Sequence, residues 1–150
     1  MELKEDIQIN APQDVVYAAL NDPEVLKQCI PGCEELEKVS DTELTAKVVL
    51  KVGPVKAKFG GHVTLDQSGA PDSFSLSGEG SGGAAGFAKG GADVTLTPND
   101  EGTLLSYTAK ADIGGKLAQL GSRLIQGTAK KLAAKFFDQF RDVVEESHAA

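Results

Sequence analysis

Residues 116–146, "KLAQLGSRLIQGTAKKLAAKFFDQFRDVVEE", decide the fold. At ~100° per residue, Leu117, Gly121, Leu124, Ile125, Thr128, Leu132, Phe136, Phe140 and Val143 make one broad apolar stripe. Lys116, Arg123, Lys130 and Arg141 align on the opposite side. A single helix over these 31 residues would be roughly 46 Å long at ~1.5 Å per residue, enough to cross a curved sheet from end to end.

From Glu35 to Ile113 the apolar period is two instead. "ELTAKVVLKV" puts Leu44, Ala46, Val48, Leu50 and Val52 on one face and Lys47 and Lys51 on the other. After a Gly53-Pro54 turn, Val55, Ala57, Phe59, Val63 and Leu65 alternate in the same way, with Lys56 and Lys58 outward. "SFSLSGEG", "ADVTLTP" and "TLLSYTAKADI" continue the meander, giving about six half-buried antiparallel strands here. Upstream, "MELKEDIQIN" alternates as a first strand. "APQDVVYAALNDPEVLKQCIPG" then reads as two short helices, with Pro12 and Asp14 at the first N-terminus and a break at Asn21-Asp22-Pro23. The second ends before Pro31-Gly32.

This order predicts an α+β fold: a curved antiparallel sheet of about seven strands wrapped around a long C-terminal helix, with two short helices after strand one. At 150 residues, one domain over 1–150 is the expectation. The 41% apolar and 25% charged composition is that of a globular chain, and no segment has the ~20 apolar residues that span a bilayer. The charged start is unlike a secretory signal, so a cytoplasmic location with reduced thiols is expected. Fifteen basic against 22 acidic residues, no Trp and two Tyr argue against nucleic acid.

Many inward positions are small: Ala46, Ala57, Ala92, Ala109, Ala111, Gly60, Gly61, Gly114 and Gly115. They either leave an apolar cavity between sheet and helix or let the helix pack closely.

Signs of catalytic or metal chemistry are sparse. Cys29 and Cys33 flank a turn, and with His62 and His148 distant in sequence the four ligands a zinc site needs are barely supplied. Buried structural thiols are the expectation, and the turn places Ile30 and Pro31 at a cavity rim. "GEGSGG", residues 78–83, matches G-x-G-x-x-G but lies between strands, without the helix N-terminus that a dinucleotide needs. His62 is expected to point away from the core, and Glu34, Glu35 and Glu37 form a solvated run. No enzyme activity and no metal are expected.

"INAPQDVVYAALNDPEVLKQCIPG" resembles the opening of the START-like (SRPBCC) helix-grip superfamily. "CIPGCEELE", "GPVKAKFGGHVTL", "GEGSGGAAGFAKG" and "GKLAQLGSRLIQGTAKKLAAKFFDQF", in that order, resemble the G-subunit family of carbon monoxide dehydrogenase. The resemblance implies a non-catalytic accessory of a carbon monoxide dehydrogenase-type molybdenum hydroxylase. It also implies an apolar cavity for an isoprenoid quinone or lipid, no covalent cofactor, and coupling of the enzyme to the inner face of the cytoplasmic membrane. Longer members continue past the last helix to a membrane-anchoring tail. This sequence stops at "ESHAA", so anchoring by that route is not carried over. The alternatives are a ligand-free assembly or maturation adaptor and an enzyme of the polyketide cyclase/aromatase kind.

The expected cavity wall comprises Ile30, Val48, Leu50, Phe59, Val63, Phe74, Leu76, Phe87, Leu105, Tyr107, Leu117 and Leu124, with Tyr107 offering a hydrogen bond to a carbonyl. Lys116, Arg123, Lys130 and Arg141 are the expected partner or membrane surface. Leu120 and Phe137 fall beside the stripe, as contact residues or against strand ends.

Overall fold

The computed structural model describes residues 1–149. β1 (Glu2–Ile9) leads into α1 (Gln13–Leu20) and α2 (Pro23–Cys29). The meander follows as β2 (Cys33–Ser40), β3 (Glu43–Val52), β4 (Val55–Asp66), β5 (Ser73–Ser81), β6 (Phe87–Asn99) and β7 (Gly102–Gly114), and the chain ends in α3 (Ser122–Ala149). All seven strands pair antiparallel in one sheet, ordered β1-β7-β6-β5-β4-β3-β2. The sheet and the order of its helices are those expected from the sequence.

Local chemistry explains the helix starts. Asp22 caps α2 by accepting the Glu24 N–H at 3.0 Å, and Pro23 supplies the fixed φ of a first turn. The last helix begins later than its apolar stripe suggests. Gly115–Leu120 form a separate 3-10 turn, Gly121 reverses the chain at φ +92°, and α3 starts at Ser122. That φ is open to glycine at little cost, so the position breaks the helix although its spacing continues the stripe. The 31-residue helix is therefore a 28-residue one, about 42 Å long, with Lys116 and Leu117 on the preceding turn.

α3 is tied to β1 at both ends. Gln126 Nε2 donates to Glu2 O at 2.7 Å, and the Asn10 N–H donates to Glu145 Oε2 at 3.1 Å. The helix rises about 28 Å from Gln126 to Glu145, and the chain covers about 26 Å from Glu2 through β1 to Asn10, so strand and helix run in step.

The two halves of α3 meet different surroundings. Its C-terminal half carries Phe136, Phe137, Phe140 and Val144 into a packed core with Ile9, Val16, Phe74, Leu96, Leu105 and Tyr107. Phe137 belongs to this core rather than to a contact surface: its ring stacks on Tyr107, centroids 5.3 Å apart. The Tyr107 hydroxyl donates to Glu5 Oε2 at 3.0 Å. Burial, then that bond, then the Glu5 charge push the phenol well above its usual range. Thr103, the one fully buried polar side chain among the described residues, donates to Ala11 O at 2.8 Å and fixes the entry to α1.

Phe140 is 0% exposed, so Phe140→Ala should cost about 3–5 kcal/mol in urea denaturation. Tyr107→Phe should cost on the order of 1–2 kcal/mol at neutral pH by removing a bond to a charged acceptor. Because the folded-state value is raised, Tyr107's stabilisation is fully present below the unfolded pKa of ~10 and is lost as pH rises beyond it. Denaturation curves of the two proteins should therefore converge above about pH 10.

Candidate functional site

The other half of α3 stands off from the sheet. Ile125, Thr128, Ala129 and Leu132 face Ala46, Val48, Leu50, Val52, Phe59, Gly61, Val63, Gly80, Ala88, Ala111 and Ile113 across a cavity of about 460 Å³. Ile30 and Pro31 from the turn after α2, Leu117 from the 3-10 turn, and Met1 complete the wall. Thr128 brings its only side-chain hydroxyl. A volume of this order is typical of small-molecule sites, and walls of this polarity favour an apolar guest.

The space exists because of one row across the sheet. Ala46 pairs with Gly61, Gly61 with Gly80, and Gly80 with Ala88. All four point inward, and none carries more than a methyl group. In the core that the packed half of α3 joins, the inward strand residues include Phe74, Leu96 and Leu105, large and buried. The small residues of this row contribute to the hollow, since a close-packed interior needs side-chain volume to fill it.

The row is so slight that it also floors a polar groove of about 700 Å³ on the outer face. Glu35, Glu37, Thr45, Lys47, His62, Glu79 and Phe87 border that groove. His62 points outward here, opposite Glu79 on β5.

Of the residues expected on the wall, Ile30, Val48, Leu50, Phe59, Val63 and Leu117 lie on the cavity. Phe74, Leu76, Leu105 and Tyr107 point inward too, but at the packed end, where they form or border the core. The Tyr107 hydroxyl is held by Glu5 rather than offered to the cavity. Phe87 is 50% exposed on the outer face. Its ring covers Gly114, the glycine opposite it on β7. The strand phase places Ala88, not Phe87, inward. Leu124, 38% exposed, covers the Gly53 turn instead of facing the cavity. Gly80 and Ala88 were not foreseen as lining residues; the glycine-rich 78–83 stretch was the one signal for Gly80. Gly60 and Gly114, expected inward, face outward.

The expected basic stripe is interrupted. Arg123 and Lys130 border a shallow surface groove at the start of α3, Lys116 sits on the preceding turn, and Arg141 lies 3.9 Å from Glu145 near the other end. Cys29 is buried and Cys33 half-buried, its thiol donating to Glu35 O at 3.4 Å. Burial pushes both thiols up, so neither is poised as a thiolate. Among the described residues no grouping of three His, Cys, Asp or Glu could hold a metal, and no helix is long and apolar enough to cross a membrane.

Residues 6–145 match the family described as the carbon monoxide dehydrogenase G subunit (CoxG). A conserved protein from Geobacillus kaustophilus has a crystal structure that superposes with a TM-score of 0.91 at 32% identity, covering 99% of this chain and 97% of that one. A STAR-related lipid transfer protein from Xanthomonas axonopodis shares the fold at 20% identity and TM-score 0.64, over 96% of this chain and 85% of that one. The Zhui aromatase/cyclase from Streptomyces shares it at 10% identity and TM-score 0.71, over 97% and 93%. No curated protein matches the sequence.

Two glycines on β5 test the origin of the cavity. A β-carbon at Gly80 would lie 3.6 Å from Gly60 O, ordinary contact, whereas one at Gly78 would lie 2.6 Å from His62 O. Gly80→Ala should be neutral or stabilising by up to about 1 kcal/mol, and Gly78→Ala destabilising by more than about 1 kcal/mol, in thermal denaturation.

Proposed function

Because the chain belongs to the CoxG family of carbon monoxide dehydrogenase subunits, we propose that it is a non-catalytic accessory protein that carries an apolar ligand between α3 and the sheet. The observation that supports this most is the cavity of about 460 Å³ whose wall offers a single side-chain hydroxyl, Thr128. The isoprenoid or acyl chain of a quinone or a lipid loses no hydrogen bonds on entering such a space and removes its apolar surface from water.

In this reading residues 1–150 act as one START-like unit beside a carbon monoxide dehydrogenase-type molybdenum hydroxylase. The unit works in the cytoplasm, at the inner face of the membrane, and passes a quinone between enzyme and bilayer. Ile30, Val48, Leu50, Phe59, Val63 and Leu117 shape the pocket and exclude water. Lys116, Arg123 and Lys130 contribute to the surface presented to the partner or membrane. Cyclase or aromatase chemistry would need ionisable groups inside the cavity, and its wall is apolar where they would stand.

Solvent extraction with mass analysis of the purified protein, followed by titration with a short-chain menaquinone and a ubiquinone analogue, tests the reading. Saturable binding of about one equivalent with a raised Tm is expected. Leu132→Trp and Ala88→Leu, which fill the cavity from opposite walls, should each weaken binding about tenfold or more while the protein stays folded. Absence of bound or bindable quinone and lipid would favour the ligand-free adaptor.

A further inference from the structure

The β3–β4 hairpin runs past its neighbours on both sides. β2 accompanies β3 only as far as Val48, and β5 accompanies β4 only as far as Gly60. Residues 49–59 therefore form a two-stranded arm whose ladder is its own, with the Val49 N–H to Gly32 O bond at 2.9 Å as its backbone tie to the rest of the described residues. At ~3.3 Å per residue it projects about 10–13 Å beyond the sheet. Its inner side, through Leu50, Val52 and Phe59, is cavity wall.

Its outer side is cationic. Lys51 and Lys56 stand directly opposite each other, an arrangement that disfavours the fold. Lys47 and Lys58, set further back from the tip, are neutralised by Glu35 at 3.4 Å and Glu34 at 2.8 Å. Lys51 and Lys56 have no ion pair among the described residues, and neither has Arg123. Arg123 lies on α3 across the arm's tip from them: its neighbour Leu124 rests on that tip, where a β-carbon at Gly53 would lie 2.8 Å from Leu124 Cδ2. Leu124, 38% exposed, and exposed Pro54 make the tip apolar, with Lys51 and Lys56 on the arm's outer side and Arg123 beside Leu124 on α3.

The rest of the molecule opposes this end. The chain carries a net charge of −7, and the turns at the far end of the sheet hold Asp66, Asp72, Asp100 and Glu101. An anionic surface would favour an approach that leads with the arm over one that leads with those turns.

We infer that the arm and the start of α3 are a docking surface for an anionic lipid bilayer, with Lys51, Lys56 and Arg123 among the headgroup phosphates and Leu124 and Pro54 at the acyl boundary below them. Val52 and Ile125, adjacent to this surface, line the cavity, so docking sets the pocket's end against the membrane. An anionic bilayer answers both features, phosphates for the cations and acyl chains for the apolar tip. The inference deepens the carrier reading and rests on it, since a carrier must meet the phase that holds its ligand.

The test is flotation of the intact chain with vesicles of equal parts phosphatidylglycerol and phosphatidylcholine, against phosphatidylcholine alone. The wild type should bind only the anionic vesicles. The triple variant Lys51→Gln, Lys56→Gln, Arg123→Gln should lose about a hundredfold in affinity, near fivefold per cation. Leu124→Ser alone should also weaken binding, which a purely electrostatic contact would not show. The triple variant should bind a short-chain menaquinone in detergent as the wild type does, which demonstrates that the pocket is intact. Equal vesicle binding by wild type and triple variant would overturn the inference. So would absence of vesicle binding together with charge-dependent capture of a molybdenum hydroxylase, which would reassign the surface to a protein partner. Charge-dependent vesicle binding without any menaquinone binding would leave the docking surface standing and remove the carrier reading.

Discussion

The stacking of Phe137 on Tyr107, with Phe136 and Phe140 packed alongside, is the contact on which the rest of the structure depends. A helix that leaves one half of a sheet uncovered gains nothing from packing there, so its position must be set at the other end. The aromatic cluster does this, and the bonds from Gln126 and Asn10 fix the helix direction against β1. Burial of several large side chains contributes on the order of 2–3 kcal/mol each, a concentration of stability in one half of the domain that lets the other half stay open.

Such a division explains where small residues occur. In the packed half a methyl removed leaves a void and a methyl added strains its neighbours. In the hollow half the constraint is looser at Gly80, which has ordinary room for a side chain it does not have. Glycine in the middle of a strand weakens it, so its use there fits a requirement for space rather than for stability.

Alternation made the sheet legible, because period two separates inward from outward residues whatever their partners. The change to helical spacing after Ile113 marked the last helix. Neither signal contains the pairing register. Val48 and Leu105 are equally inward, yet one faces the cavity and the other the core, and only the strand pairing says which end of the sheet each occupies. Phe87 followed a short 3-10 turn, Gly83–Ala85, that resets the strand phase, and no periodic pattern spans such a turn. Gly121 kept the apolar spacing while interrupting the helix, since periodicity records faces and not dihedral angles.

The nearly featureless wall of the cavity has a consequence for selectivity. Sites that choose between ligands sharply do so by leaving a polar group unpaired when the wrong one enters, and Thr128 is the only side chain in the wall equipped to do that. What remains is girth and length. Each methylene contributes about 0.8 kcal/mol, roughly a fourfold step in affinity, so preference along a homologous series would rise gradually and then stop where the ligand meets the phenylalanines of the packed end. Such a pocket grades its guests by size, and a choice between chemically different headgroups would have to be made outside it.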